Sequence, residues 1–285
     1  QGWLEAELDK RGVALEPFAV SHKATGPQIN EGFANRSLEF ASYGDLPTII
    51  CNANGVQTRL LVPNGMGGSG DTFLVVPAGS TAKDVTDLKG KRIGVYSLSS
   101  GTRQNLQVLL HQVGLTEKDV TVEVTGLLNF APLIQGQVDA TAATDTGLLV
   151  AKMKGLPEVD VIEVKDHLNL PSDIFVVTEG TYEAKKPLLK RFLAAYSDSA
   201  AWMIASPEEA AKLAVTRAIN GRDEALNLEI IKLRNISTVS PTTQAKGLGH
   251  FDPELLQKGA DTFHRLGLIG KPIDMSQVVK TDLIP

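Results

Sequence analysis

Hydrophobic positions along the chain follow two periods in turn, which predicts strands and helices in alternation. Short extended runs such as "LEFASY" (38–43) and "DIFVVT" (173–178) are separated by stretches whose apolar residues recur every three or four positions. The strands predicted in this way lie at 13–20, 38–43, 56–62, 72–77, 91–96, 120–125, 138–143, 159–164 and 173–178. The helices predicted between them lie at 1–11, 26–35, 45–54, 84–88, 102–113, 130–136 and 146–154. Such alternation predicts an α/β fold built from βαβ units, with mainly parallel sheets flanked by helices.

The last third of the chain is helical. Four helices are predicted there, at 187–205, 207–219, 223–235 and 253–266. Pro187 and Pro207 suit the first turns of two of them, where a missing N–H is no loss. With 285 residues the chain exceeds the usual size of one domain. We therefore expect two α/β blocks, with the helical tail packed back on the first.

Composition and charge narrow the classes of partner. The chain is 42% hydrophobic and 21% charged, as expected for a folded globular protein. Its 28 Lys and Arg against 33 Asp and Glu give a net charge of -5, without basic clusters, which disfavours nucleic acid and anionic membranes as partners. No apolar run approaches the roughly 20 residues that span a bilayer. Because "QGWLEAELDKRG" already has a helical pattern, we expect the natural N-terminus to lie upstream.

Cysteine and histidine give no sign of catalytic or metal chemistry. Cys51, the one cysteine, lies in the apolar stretch "PTIICNANG", which favours inert packing over a nucleophile. A single cysteine also excludes internal disulfides. The five histidines are scattered without metal-ligand spacing. We therefore predict no metal, no cofactor and no catalytic residue.

The junction "RIGVYSLSSGTRQNLQVLL" carries the first candidate site. A predicted strand ends in small hydroxyl residues, and a helix begins whose Leu106, Leu109, Leu110 and Val113 share one face. The free N–H groups and positive dipole of the helix N-terminus, beside serine and threonine hydroxyls, suit an anion. An ordinary helix cap explains the same residues equally well. The spacing does not match a P-loop.

Two further junctions place small polar residues between a strand and a helix. The first holds Ser42, Tyr43, Gly44 and Asp45, and the second holds Thr144, Asp145 and Thr146. On parallel strands, all three junctions would meet at the sheet edge where open α/β sheets bind ligands. For Asp45 and Asp145, helix capping is as good an explanation as ligand contact.

Several segments in order resemble one family. "TGPQINEGFANRSLEFAS", "GDLPTII", "DLKGKRIGV" with its Ser-rich turn, "IQGQVDATAATD" and the tail "DMSQVVKTDLI" are together similar to the periplasmic substrate-binding proteins of the sulfonate, taurine and nitrate ABC importers. The resemblance implies a type II periplasmic-binding fold of two lobes, with the ligand in the cleft between them. Lobe one would comprise residues 1–75 and 176–285, and lobe two residues 76–175. The crossings "LVVPA" and "IFVVT" would form the hinge.

The resemblance also implies ligand-binding positions in three turns and at the third junction. These positions are Gly26, Pro27, Gln28, Tyr43, Gly44, Asp45, Ser97, Leu98, Ser99, Ser100, Gly101, Thr102, Thr144 and Asp145. Sulfonate binders commonly have Trp-Asp-Pro at the third junction, whereas this chain has Thr144, Asp145 and Thr146. The chain therefore lacks the broad apolar surface that the tryptophan would give the site.

The function implied is capture of a small anionic or polar solute, of the sulfonate, taurine or nitrate class. A periplasmic monomer, with or without a lipid anchor, would deliver the solute to an inner-membrane ABC permease with its cytoplasmic ATPase. An enzyme on the same fold, desulfinase-like or thiamine-pyrimidine synthase-like, is the main alternative, but Cys51 on an apolar helix fits neither. A third possibility is the ligand-sensing domain of a transcription factor. Such a domain is ordinarily joined to a basic recognition helix, and the sequence shows none.

Overall fold

The computed structural model describes residues 10, 26–63, 72–98, 100–126, 130–162, 173–217 and 223–285. The strand predicted at 13–20 lies outside them, as does the helix at 1–11 except for Lys10. Among the helices within these ranges, none is long and apolar enough to cross a membrane.

The predicted alternation of strands and helices is confirmed in the described part of the chain. Its strands are β1 (Phe40–Gly44), β2 (Thr58–Pro63), β3 (Thr72–Pro77), β4 (Arg92–Val95), β5 (Thr121–Val124), β6 (Ala140–Thr144), β7 (Val159–Ile162) and β8 (Asp173–Thr178). Its helices are α1 (Gly26–Ala34), α2 (Asp45–Ala53), α3 (Gly101–Gln112), α4 (Ala131–Ile134), α5 (Asp145–Met153), α6 (Glu179–Ala205), α7 (Pro207–Arg217), α8 (Glu224–Thr238), α9 (Pro241–Lys246), α10 (Pro253–Arg265) and α11 (Met275–Val278). Short 3-10 turns precede β4 and β5.

The described strands form two sheets. A three-stranded sheet has the order β1-β8-β2, and a five-stranded sheet has the order β5-β4-β6-β3-β7. In the five-stranded sheet, β4 runs parallel to β5 and β6, whereas β3 runs antiparallel to β6 and β7. In the three-stranded sheet, β8 runs antiparallel to both β1 and β2. The prediction of mainly parallel sheets is therefore wrong for the strand pairs described. We call the two halves the three-stranded lobe and the five-stranded lobe.

The antiparallel strands are those that enter a sheet from the other lobe. The chain passes between the sheets after Pro63 and returns after Ile162, and β3 and β8 are the first strands it then forms. The predicted hinge strands "LVVPA" and "IFVVT" therefore lie mostly inside the sheets, directly after each crossing. A strand that enters a sheet at the edge where its neighbours end must run antiparallel to them, which explains the pairing of β3 and β8.

Each sheet is buried on both faces. Leu60 and Leu61 are neighbours in β2 and fully buried, yet they belong to different hydrophobic clusters. In the five-stranded lobe, the neighbours Leu74 and Val75 in β3 are likewise fully buried and belong to different clusters. Successive side chains of a strand point to opposite faces, so these apolar runs reflect sheets covered by helices on both sides.

Helix α6 begins earlier than the sequence predicts. Thr178 caps it, its hydroxyl accepting the Thr181 N–H at 3.1 Å, and the helix bends at Lys185, where φ is -122°. Pro187 lies in the first turn after this bend, where the proline ring costs the least. The sequence thus predicted the part of the helix after the bend.

The tail of the chain belongs to the three-stranded lobe. The Lys280 N–H donates to the Leu60 carbonyl at 2.8 Å, beside β2. The Tyr182 hydroxyl donates to Asp282 Oδ1 at 2.6 Å. Helices α9 and α11 precede this tail and are too short to give a helical period in the sequence.

Candidate ligand-binding site at the facing sheet edges

Two of the three predicted junctions lie at one edge of the five-stranded sheet. The expectation that all three share one edge is wrong, because the junction at Tyr43 and Gly44 ends β1 in the three-stranded sheet. In the parallel register of β4 and β6, Ile93 lies opposite Ala140 and Gly94 opposite Thr141. The carboxyl ends of both strands therefore meet at the same edge, where the chain enters the Ser-rich turn and, separately, α5. This is the arrangement expected of parallel strands.

Ser100 holds the Ser-rich turn together. Its hydroxyl donates to the Ser97 carbonyl at 2.7 Å and accepts the Arg103 N–H and the Ser97 N–H, each at 3.3 Å. Thr102 Oγ1 lies 3.0 Å from Ser100 Oγ. The Gln104 N–H donates to the Ser100 carbonyl at 3.2 Å. Within the part of the chain that the structure describes, the first-turn amides of α3 without a hydrogen-bond partner are those of Gly101 and Thr102.

The predicted residues of this turn differ in exposure. Ser97, Ser100 and Thr102 are half-buried, Gly101 is exposed, and the Leu98 side chain is 59% exposed. Ser99 lies outside the described residues. The turn therefore offers backbone N–H groups and a Thr102 hydroxyl, while the Ser100 hydroxyl acts as a cap.

Arg103 holds the Ser-rich turn in place through a bond to its backbone. The sequence alone did not indicate this role. Its guanidinium binds the Glu117 carboxylate through two bonds of 2.7 Å, and Nη1 donates to the Leu98 carbonyl at 2.7 Å. Gln107 Nε2 donates to the same carboxylate at 2.8 Å. Because Glu117 neutralises it, Arg103 positions the turn and is not a spare cation for an anion.

At the junction that begins α5, both predicted residues serve the helix. Thr144 is exposed, and its hydroxyl oxygen accepts the Gly147 N–H at 3.2 Å. Asp145 Oδ1 accepts the Thr146 N–H at 2.5 Å and the Thr146 hydroxyl at 3.1 Å. The other carboxylate oxygen, Oδ2, is buried and has no hydrogen-bond partner among the described residues. Capping thus accounts for Thr144 and for half of the Asp145 carboxylate.

The turn that begins α1 packs against α2 in the three-stranded lobe. A Cβ placed on Gly26 would lie 2.7 Å from Pro47 Cβ, so no side chain fits there. Asn30 Nδ2 donates to the Pro47 carbonyl at 2.9 Å, and the Tyr43 hydroxyl donates to Asn30 Oδ1 at 2.8 Å. Tyr43 is 5% exposed and packs beside Phe33, and burial raises the pKa of its phenol. Its ring thus belongs to the core of the three-stranded lobe.

Gly26 and Gly101 form a matched pair for a stability test. Both begin a helix, but a Cβ at Gly101 would meet nothing within 4 Å. We expect Gly26→Ala to destabilise the protein by about 1–3 kcal/mol through overpacking against Pro47. Gly101→Ala should leave the free energy of unfolding unchanged or slightly raised. Urea unfolding measures both, and equal effects of the two substitutions would contradict the prediction.

Asp45 and Asp173 bring two carboxyl groups together at the edge of the three-stranded sheet. Gly44 pairs with Asp173 across β1 and β8, so Asp45 follows directly beside it. Asp45 Oδ1 accepts its neighbouring Leu46 N–H at 2.7 Å. Burial raises the pKa of Asp45 to about 7, and the charge of Asp173 adds to this rise. Sequence analysis did not single out Asp173, because only strand pairing brings it next to Asp45.

Asp173 also interacts with two groups from the helical tail. Burial raises the pKa of Asp173, and the positive charge of Arg234 on α8 lowers it in part. Burial likewise raises the pKa of the Tyr196 phenol, with a further rise from the charge of Asp173. The edge of this lobe therefore combines two carboxyl groups, a phenol and an arginine.

The remaining predicted positions of this lobe lie at the same two helix starts. Gln28 is exposed on α1, and the backbone of Pro27 lies in its first turn. Gly44 precedes α2, and its carbonyl accepts the Thr48 hydroxyl at 2.6 Å. Contact of any of these residues with a ligand stays a prediction.

The two sheet edges are joined to each other by both crossings. Pro63 ends β2 opposite Ile174, at the edge that carries Gly44 and Asp173, and the next strand begins at Thr72, opposite Thr144. Ile162 ends β7 at that second edge, and the chain then returns to Asp173. Both connections thus join the carboxyl edge of one sheet to the carboxyl edge of the other.

The surroundings of Cys51 and of the possible metal ligands bear on the enzyme alternative. Cys51 is buried in the core of the three-stranded lobe, and burial raises the pKa of its thiol, which keeps it protonated. Among the described residues, no three His, Cys, Asp or Glu side chains are grouped so that they could hold a metal ion.

Comparison with a solved structure identifies the fold. The structure of the periplasmic aliphatic sulphonate binding protein SsuA from Escherichia coli superimposes with a TM-score of 0.72 at 23% identity, over 98% of this chain and 87% of that one. The fold is that of the periplasmic binding proteins. The two-lobe α/β architecture expected from the sequence motifs is confirmed.

Sequence comparison adds a partial family match and two similar proteins. Residues 70–210 match the family described as NMT1/THI5 like. The riboflavin-binding protein RibY of Chloroflexus aurantiacus is 24% identical over 70% of this chain and 58% of its own length. A putative aliphatic sulfonates-binding protein of Escherichia coli is 25% identical over 88% of this chain and 76% of its own. The resemblance to sulfonate-binding proteins is confirmed, although the chain spans little more than half of RibY.

Proposed function

We propose that this chain is the solute-binding subunit of an ABC importer. It captures a small anionic or polar solute, of the sulfonate, taurine or nitrate class, in the cleft between the lobes. It works in the periplasm as a monomer and delivers the solute to an inner-membrane permease with its cytoplasmic ATPase. We take the lobes as residues 1–75 with 176–285 and residues 76–175, with each bound moved to the nearest crossing because β3 lies wholly in the five-stranded sheet and β8 wholly in the three-stranded sheet.

The observation that carries the proposal is the pair of joined sheet edges. The five-stranded lobe presents the start of α3, with the free amides of Gly101 and Thr102, at the edge to which both crossings lead. Backbone amides at a helix N-terminus bind an oxyanion without a full countercharge. A sulfonate keeps its charge at any physiological pH and offers three acceptor oxygens, which suits such donors.

The three-stranded lobe supplies the opposite wall. Asp45 and Asp173 make this wall a hydrogen-bonding surface, and Arg234 adds a positive charge near Asp173. A solute whose anionic end binds the amides of one lobe, and whose hydrogen-bond donors reach the carboxyl groups of the other, would favour lobe closure. The relatives compared above are named as binding proteins, which supports a role in binding over catalysis.

Thermal shift and calorimetry test this proposal. The purified chain is titrated with ethanesulfonate, taurine and nitrate, and with riboflavin because of the relative that binds it. We expect at least one of the first three to raise the melting temperature with dose, because a ligand at 100 times its Kd stabilises the native state by about 2.7 kcal/mol. If riboflavin alone binds, the proposed class of solute is wrong. If the protein turns over a sulfinate or pyrimidine compound without binding any of these solutes stably, the transport role is refuted.

A further inference from the structure

One buried side chain of the five-stranded lobe packs in the core of the other lobe. Val108, on α3, is 3% exposed and belongs to the hydrophobic cluster of the three-stranded lobe, with Ile49, Cys51 and Phe263. Among the described residues of that cluster, it alone comes from between the two crossings. Its neighbours on the helix, Leu106 and Leu109, pack in their own lobe instead.

The helix geometry explains how one helix serves both lobes. Residues 106, 109 and 110 share a face, whereas residue 108 is turned well away from the first and last of them at 100° per residue. The face with Leu106 covers the five-stranded sheet. Val108 thus lies on a second face, directed at the three-stranded lobe.

A second contact between the lobes is made by α5. This helix packs against α8, which belongs to the helical tail. Val150 on α5 is 8% exposed, yet it is not among the described members of either cluster of its own lobe. The two helices that begin at the carboxyl edge of the five-stranded sheet, α3 and α5, therefore both contact the other lobe.

We propose that Val108 is a positioning residue that holds the two lobes closed and so sets the affinity for the solute without touching it. The inference rests on the proposed function. Val108 lies seven residues along α3 from Gly101, about 11 Å down the helix axis. Its docking fixes where the amides of Gly101 and Thr102 lie relative to Asp45 and Asp173, and loss of the contact lets the lobes separate.

Two matched valine substitutions test this role. Val108→Ala and Val85→Ala remove the same two methyl groups from buried positions on lobe two, but Val85 is 6% exposed within the core of its own lobe. Affinity is measured by calorimetry with the sulfonate that binds the wild type best. Small-angle scattering of the ligand-free proteins reports the lobe separation, and thermal melting reports stability.

We expect Val108→Ala to weaken affinity roughly tenfold, as the loss of two buried methyl groups implies. It should also raise the radius of gyration of the ligand-free protein. Val85→Ala should lower the melting temperature and leave both affinity and radius unchanged. If Val108→Ala does not fold, Val108→Thr keeps the volume, places a hydroxyl in the contact and is expected to show the same two changes.

The result that would overturn the inference is a Val108→Ala protein with wild-type radius and affinity that melts lower, like Val85→Ala. A ligand-free wild type that scatters like the Val108→Ala protein would also contradict it. If none of ethanesulfonate, taurine and nitrate binds the wild type, the proposed function fails on its own, and the scattering comparison still decides the role of Val108.

Discussion

Replacing Ser100 with aspartate should abolish solute binding, with a loss of affinity of at least about 100-fold, while the protein stays folded. Ser100 caps α3, and its hydroxyl lies beside the two free amides that we assign to the anion. An aspartate caps a helix as well as serine does and is favoured by the helix dipole. Its charge, however, would repel an anion about 4 Å away by up to roughly 4 kcal/mol at an effective dielectric constant of 20.

The matched control is Ser100→Asn. Asparagine is also a good N-cap, has nearly the shape of aspartate and carries no charge. We expect Ser100→Asn to keep most of the affinity and both variants to melt within a few degrees of the wild type. Calorimetry with the sulfonate that binds best measures the difference. Equal affinity of the aspartate and asparagine variants would show that the Ser-rich turn is only a helix cap.

The second large effect concerns the pH dependence of stability, and it depends on Asp45. Burial raises the pKa of this carboxyl from 3.8 to about 7. The folded protein thus holds the proton more tightly than the unfolded chain does. As the pH rises from about 4 to about 7, the unfolded chain loses its proton first, so the free energy of unfolding falls across that window. Above pH 7 the penalty is fully present.

Asp45→Asn removes this penalty. We expect the variant to be about 2–4 kcal/mol more stable than the wild type at pH 8, because each pKa unit corresponds to about 1.4 kcal/mol, and similar to it near pH 4. Urea unfolding at several pH values measures the difference. Asp252→Asn, at the exposed cap of α10, is the control and should follow the wild-type profile. A gain for Asp45→Asn that does not change with pH would contradict the assignment.

Local sequence was enough to predict most elements and all three junctions. The helix that starts at Asp45 and the helix face of Leu106, Leu109 and Leu110 follow from apolar spacing and from small polar residues at helix starts. These signals depend on residues within a few positions of one another, so a single pass along the chain captures them.

The partners of the predicted site residues could not be read in this way. Tyr43 belongs to the core through its bond to Asn30, and Arg103 is neutralised by Glu117, although both lie in stretches that suggested ligand contact. Asp173 meets Asp45 only because β8 pairs with β1. In each of these contacts, the sequence around one residue does not indicate which residue is its partner.

The sequence by itself determined the alternation of strands and helices, the places where helix starts expose their amides, and the family that those segments resemble. The tertiary structure alone decided that β3 and β8 run against their neighbours, that both crossings join the two carboxyl edges, and that Val108 packs in the opposite lobe. Helix hydrogen bonds join residues four positions apart, and the alternation of side chains that marks a strand lies within the strand itself. The direction of a strand and the contact between lobes depend on which apolar surfaces from distant parts of the chain are buried against each other. No local pattern specifies those pairs.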